Sequence, residues 1–235
     1  MKHFFTAIAA LALLANSSLE AQAALELVVN GSFEDNLLAG PGHVHVDNGT
    51  GPGNSVIPGW GVGLAIPSGP PSFPGVDLVQ APAYGLDPAA DGIQFVDLNG
   101  TPGPGNIFQV LSTVAGQLYE LTFAHASNNT NSVGLFGVWD GIDASGAAII
   151  ALTPFADGPT SPLDWQYVTA QFTALSDNTT IAFGSFLPPS GNAGAMVDAV
   201  SVQAVPEPMT VIVWGTLGLC GSAVAWRVKK KQLTA

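Results

Sequence analysis

The chain has 235 residues, 47% of them hydrophobic and only 9% charged, with 28 glycines, 18 prolines and a formal net charge of −12. Its basic residues are Lys2, Arg227, Lys229, Lys230 and Lys231, so residues 24–204 contain no Lys or Arg, while all but two of the 17 acidic residues fall there. Nucleic acid is thereby excluded as a partner, since binding it needs cations against phosphates, and the charge balance favours a neutral ligand or a cation.

Met1-Lys2-His3, the apolar run 4–14 and Ala21-Gln22-Ala23 have the order of a signal peptide: basic region, apolar region, small-residue cleavage site. The mature chain is expected to begin at Ala24 and to be exported. From there short β-branched and aromatic runs recur between Gly and Pro clusters, and no long stretch shows a helical apolar period. This is the pattern of an all-β sandwich. Strands are expected at 25–33, 56–64, 76–79, 93–98, 106–111, 118–125, 133–139, 147–152, 166–172, 179–186 and 195–202. The clearest is Leu118-Tyr119-Glu120-Leu121-Thr122-Phe123-Ala124, with Tyr119, Leu121 and Phe123 on one face. Segments 38–55 and 65–74 are expected to be surface loops. The one cysteine, Cys220, lies outside this body, which therefore holds no disulfide of its own.

His43-Val44-His45-Val46-Asp47 would place two imidazoles and a carboxylate on one face if extended, a donor set for a transition metal. In a Gly-rich surrounding without a third His, a solvated loop is the expected reading. No Gly-x-Ser-x-Gly elbow, His-Glu-x-x-His or Walker loop is present. Asp140, Asp143, Asp157 and Asp164 could supply the carboxylate pair of a glycosidase, but each sits beside turn residues, where structural Asp is common. The expectation is a protein that is not an enzyme. Trp60, Tyr84, Trp139, Trp165 and Tyr167 can stack on sugar rings. Trp60 is expected in the core, whereas Trp139 and Trp165, beside Asp140-Gly141 and Leu163-Asp164, are the expected ligand-binding aromatics.

At the C-terminus, Pro206, Glu207 and Pro208 precede an uncharged apolar run, 209–226, and the basic tail 227–231. At about 1.5 Å per residue the run approaches the about 30 Å hydrocarbon core of a bilayer, so one transmembrane helix is expected. Arg227, Lys229, Lys230 and Lys231 would hold the C-terminus in the cytoplasm. This three-part order resembles the PEP-CTERM sorting signal of Gram-negative bacteria. The resemblance implies an exosortase-type sorting enzyme as partner, anchoring in the inner membrane during sorting, and delivery to the cell surface or extracellular matrix of an exopolysaccharide-producing, biofilm-forming cell.

Within the body, Leu27-Val28-Val29-Asn30-Gly31-Ser32-Phe33-Glu34, Ile57-Pro58-Gly59-Trp60, Gly75-Val76-Asp77-Leu78-Val79, Asp91-Gly92-Ile93-Gln94-Phe95-Val96-Asp97-Leu98-Asn99-Gly100, Ile107-Phe108-Gln109 and Met196-Val197-Asp198-Ala199-Val200-Ser201-Val202 follow in order. The series resembles galactose-binding-like jelly rolls, in particular bacterial relatives of the DUF642 and choice-of-anchor families. The resemblance implies a jelly-roll β-sandwich over 24–204, between a signal peptide at 1–23 and a sorting signal at 205–235. It also implies a structural Ca²⁺ held by Glu34 and Asp198, with carbonyls and Asp97 as further ligands, and binding of extracellular polysaccharide. The alternatives are a structural or adhesive matrix protein with a protein partner, and a glycoside hydrolase.

Overall fold

The computed structural model describes residues 25–64, 75–83, 88–100, 103–127, 133–156, 163–185 and 194–206. The expected signal peptide, Tyr84, Asp157, the apolar run 209–226 and the sorting residues from Glu207 onward lie outside the described residues. The chain divides into two units, 1–204 and 205–235, and the described strands all belong to the first. Among the described residues no helix is long and apolar enough to cross a membrane.

The strands are β1 (Gly42–Asp47), β2 (Gly61–Val62), β3 (Gly75–Gln80), β4 (Gln94–Asp97), β5 (Asn106–Ser112), β6 (Leu118–Ser127), β7 (Val133–Asp140), β8 (Ala148–Ala156), β9 (Gln166–Thr173), β10 (Asn178–Ser185) and β11 (Ala195–Ala204). They form two antiparallel sheets, ordered β1-β3-β4-β11-β6-β9 and β2-β5-β10-β7-β8. Alternation on each strand supplies the inner faces: Val76 and Leu78 of β3, Leu121 and Phe123 of β6, and Val197 and Val202 of β11 meet Ile107, Phe136, Val138, Ile181 and Phe183 of the other sheet. Phe123 is the hub, its ring 4.9 Å from Phe183, 5.2 Å from Phe136 and 5.3 Å from Phe155, each edge to face. Trp60 extends the aromatic contact, its ring 6.1 Å from Phe183 and 5.4 Å from Phe33.

Three segments differ from the sequence expectation. Of the strand expected at 56–64 only Gly61–Val62 forms, because the chain turns at Gly59, which takes a φ of 88°. Residues 25–33 were expected to be a strand but contribute only the bridge from Glu26 to Gln203. Asn30 and Phe33 take positive φ of 54° and 59°, which breaks the extended run. The Asn30 amide donates to Pro58 O, its Oδ1 accepts from Asp35 N, and the turn drives Phe33 fully into the core. Conversely, the expected loop 38–55 contains β1, which pairs with β3 from Gly42↔Gln80 to Asp47↔Gly75 and buries Val46.

Phe123→Ala should destabilise the protein by about 3–5 kcal/mol, because truncation leaves three neighbouring rings facing a void. Urea denaturation of the variant against the wild type measures it.

Candidate functional site

The outer face of the six-stranded sheet is set by register. His45 lies opposite Asp77, Asp77 opposite Asp97, Asp97 opposite Met196, and Met196 opposite Ala126. The next rows, stepping along β11, β6 and β9, are Asp198, Ala124 and Tyr167; then Ser201, Thr122 and Thr169; then Gln203, Glu120 and Gln171. The face thus divides into an acidic end, a covered apolar centre and an open polar field.

At the acidic end Asp77 and Asp97 are 7% and 5% exposed. His45 Nδ1–H donates to Asp77 Oδ1 at 2.7 Å, and its Nε2 stands 3.7 Å from Asp47 Oδ1. Asp97 Oδ1 accepts from Asn99 N. Burial, reinforced by the charge of Asp77, pushes the Asp97 carboxyl up to about 7, and the Asn99 bond offsets only part of this. The centre is Val79, Phe95, Met196 and Ala126, roofed by Ala83, Leu163 and Trp165.

Two carboxylates pin the connection between β3 and β4 over this centre. Glu34 Oε1 accepts from Ile93 N (2.7 Å) and Gln94 N (2.6 Å). Asp198 Oδ2 accepts from Asp91 N and Oδ1 from Ala199 N, with the Ala90 amide also contributing. A β-bulge between Asp198 and Ser201, with Ala199 at φ 50°, presents the carboxyl to those amides. Burial nevertheless holds Asp198 up at about 7, the amides lowering it and Asp91 raising it by a smaller amount.

Of the expected metal ligands, Glu34 and Asp198 are therefore brought to one turn, 90–94, while Asp97 belongs with Asp77, His45 and Asn99. Among the described residues no three or more His, Cys, Asp or Glu converge as a metal site. Trp139, expected to be exposed, is 3% exposed: its ring lies back over Gly137 on the outer face of the other sheet, with Leu64, Ala144 and Ala182 around it. The missing side chain at 137 provides the space, which the neighbouring Asp140-Gly141 turn does not indicate. Trp165 is half-buried, donating Nε1–H to Pro88 O and meeting Phe95 edge to face at 5.5 Å. Trp60 is fully buried, as expected. Asp143 is a turn residue whose Oδ1 accepts from Ser145 N and Oγ, holding its carboxyl below the usual range.

Of the open field the sequence offered only Tyr167, as one of five aromatics able to stack on sugars; its polar neighbours were not singled out. Tyr167 is 66% exposed on the edge strand β9, two residues from Trp165 on the same face. Beyond it Gln171 Nε2 donates to Glu120 Oε2 (3.0 Å), and Glu26 accepts from Ser201 Oγ, Gln203 Nε2 and Val202 N. Thr122 and Thr169 lie between. Alternation in Gln166-Tyr167-Val168-Thr169-Ala170-Gln171 was the available signal.

A family model described as DUF642, protein of unknown function, matches residues 26–203. The chain belongs to the DUF642 family. The DUF642 domain is also similar to Halomucin of Haloquadratum walsbyi, 33% identical over 120 residues, or 51% of this chain; the chain spans 1% of that relative's length. Among solved structures it is similar to the Stig cyclase Fisc from Fischerella sp. TAU, with a TM-score of 0.51 and 16% identity over 78% of this chain and 99% of that one. That likeness shows the fold. TmCBM61, solved in complex with beta-1,4-galactotriose, has a TM-score of 0.45 and 12% identity over 77% of this chain and all of its own.

The raised carboxyls fix a pH dependence. Between their ordinary value of 3.8 and about 7, folded Asp97 and Asp198 retain protons that the unfolded chain has released. Stability therefore falls as pH rises through this window and levels above it, by on the order of a few kcal/mol. In the presence of EGTA, the melting temperature should be higher at pH 5 than at pH 8, and Asp97→Asn should remove roughly half of the difference, the rest belonging to Asp198.

Proposed function

We propose that the DUF642 domain is a non-catalytic module that binds an uncharged extracellular polysaccharide on the open field of the six-stranded sheet. The observation that carries this is Tyr167, a ring exposed on an edge strand of the sheet, in register with rows of hydroxyl, amide and carboxylate side chains. A sugar needs an apolar ring surface for its C–H face and fixed acceptors and donors for its hydroxyls. Tyr167 would stack, the Glu120–Gln171 pair would accept and donate, and half-buried Trp165 would hold the floor. The absence of Lys and Arg from 24–204 sets the ligand class: a uronate carboxylate would meet Glu120 and Glu26 with no cation to pair it.

The wider setting is part of the same proposal. A signal peptide exports the chain, and Pro206, Glu207 and Pro208 with the apolar run and basic tail direct it through an exosortase-type enzyme to the cell surface or matrix. We also propose that Ca²⁺ is held by Glu34 and Asp198, whose carboxylates converge on the 90–94 turn, with peptide carbonyls and water completing its oxygen ligands. The residues fit this to the extent that fully buried Asp198 has no cation of the protein beside it.

Tyr167→Ala should weaken retention in gels containing a panel of neutral polysaccharides by about tenfold, the loss of one stacking contact, while moving stability by less than about 0.5 kcal/mol. Retention of the wild type by none of them would leave the adhesive matrix protein with a protein partner as the better reading. For the cation, millimolar Ca²⁺ should raise the melting temperature and EGTA lower it, and Asp198→Asn should abolish the difference; a melting temperature indifferent to both reagents excludes the site.

A further inference from the structure

We propose that the end of the sandwich at which β11 finishes docks on a zwitterionic lipid bilayer through Leu25, Val114, Ile142 and Leu175. This rests on reading residues 209–226 as a membrane span.

Register places all four at that end. Ala204, the last residue of β11, lies opposite Tyr119 at the start of β6, and Glu26 bridges Gln203, so Leu25 stands beside it. Leu118 pairs with Thr173, and Gly116 N donates to Ala174 O, bringing the turns that carry Val114 and Leu175 together. Thr113 N donates to Asp177 O, and Gly141 N to Asn178 O, which adds the turn that carries Ile142. The four side chains are 75%, 65%, 67% and 55% exposed. Exposed apolar residues scattered singly are ordinary on a protein surface. Here they sit on four separate chain segments at one end, where no strand alternation or core contact asks for them.

The occupant follows from the continuation of the chain. After Ala204 only residues 205–208 precede the apolar run, and four extended residues reach about 14 Å. A bilayer holding that run is within reach of the end of the sandwich from which the run departs. Tethering supplies the effective concentration that a few weakly inserting side chains lack by themselves. Glu26, Asp143 and Asp177 stand at the same end and 24–204 offers no Lys or Arg, so an anionic lipid surface would repel it.

The test uses the full chain in vesicles of phosphatidylcholine and phosphatidylethanolamine. A polarity-sensitive fluorophore is placed, in a Cys220→Ser background, at Val114→Cys, Ile142→Cys or Leu175→Cys. The control is Gly51→Cys, in the turn after β1 at the opposite end of the sheet, where a Cβ meets nothing within 4 Å. The three tip labels should shift to the blue and lose most of their emission to a lipid-borne quencher, while the label at 51 responds only to aqueous iodide. Tip labels that iodide quenches as fully as the control would overturn the docking. The parent chain labelled at Cys220 separates the two levels: quenching there by lipid, with iodide-accessible tips, leaves the membrane span standing and refutes the docking alone. A Cys220 label untouched by lipid refutes both.

Discussion

Residues 24–204 have to stabilise every carboxylate they bury without a single lysine or arginine. Three means remain, and the domain uses each. Glu34 and Asp198 are held by peptide amides, two on one oxygen of Glu34 and three around Asp198. Asp97 is buried so completely that it keeps a proton to about pH 7. Asp77 is met by an imidazole, and the ion pairs found among the described residues both involve His45. A buried charge left without one of these would cost several kcal/mol, so the placement of the acids governs the outer face of the six-stranded sheet. The amide-bound pair fastens residues 90–94, ahead of β4, and among the described residues the β6–β9 side of the face is open.

The same constraint carries into function. An open face built from Tyr167, Thr122, Thr169, Glu120, Gln171, Ser201 and Gln203 can match the ring faces and hydroxyls of a neutral sugar, but it has nothing with which to neutralise an anion. The acidic end is closed by comparison: Asp77 and Asp97 are buried, the one against His45 and the other against the Asn99 amide.

Much of the sandwich was legible because short β-branched and aromatic runs recur between Gly and Pro clusters, and because burial alternates plainly in the first half of β6, Leu118 to Phe123. Two failures have a common cause, which is that local composition misreports what a side chain meets. Residues 25–33 have strand composition, yet Asn30 bonds its own neighbourhood and bends the chain. His43 to Asp47 looked solvated between glycines, yet Val46 is a core residue and Asp77, distant in sequence, waits opposite His45. Trp139 failed in the same way, since only the fold reveals that Gly137 opens a bed for its ring. Glu34 and Asp198 were named through the family resemblance as calcium ligands, and the fold shows both bonded to amides of 90–94, whereas Asp97 could be assigned to a different row only once the registers of β3, β4 and β11 were known.

The claim that the lack of cations sets the ligand class is tested most directly with one polymer in two charge states. The neutral polysaccharide that the protein retains best should be compared, by affinity electrophoresis at low salt, before and after selective oxidation of its primary hydroxyls to carboxylates. The account predicts retention by the neutral polymer and its loss on oxidation. Equal or stronger retention by the oxidised polymer would contradict it.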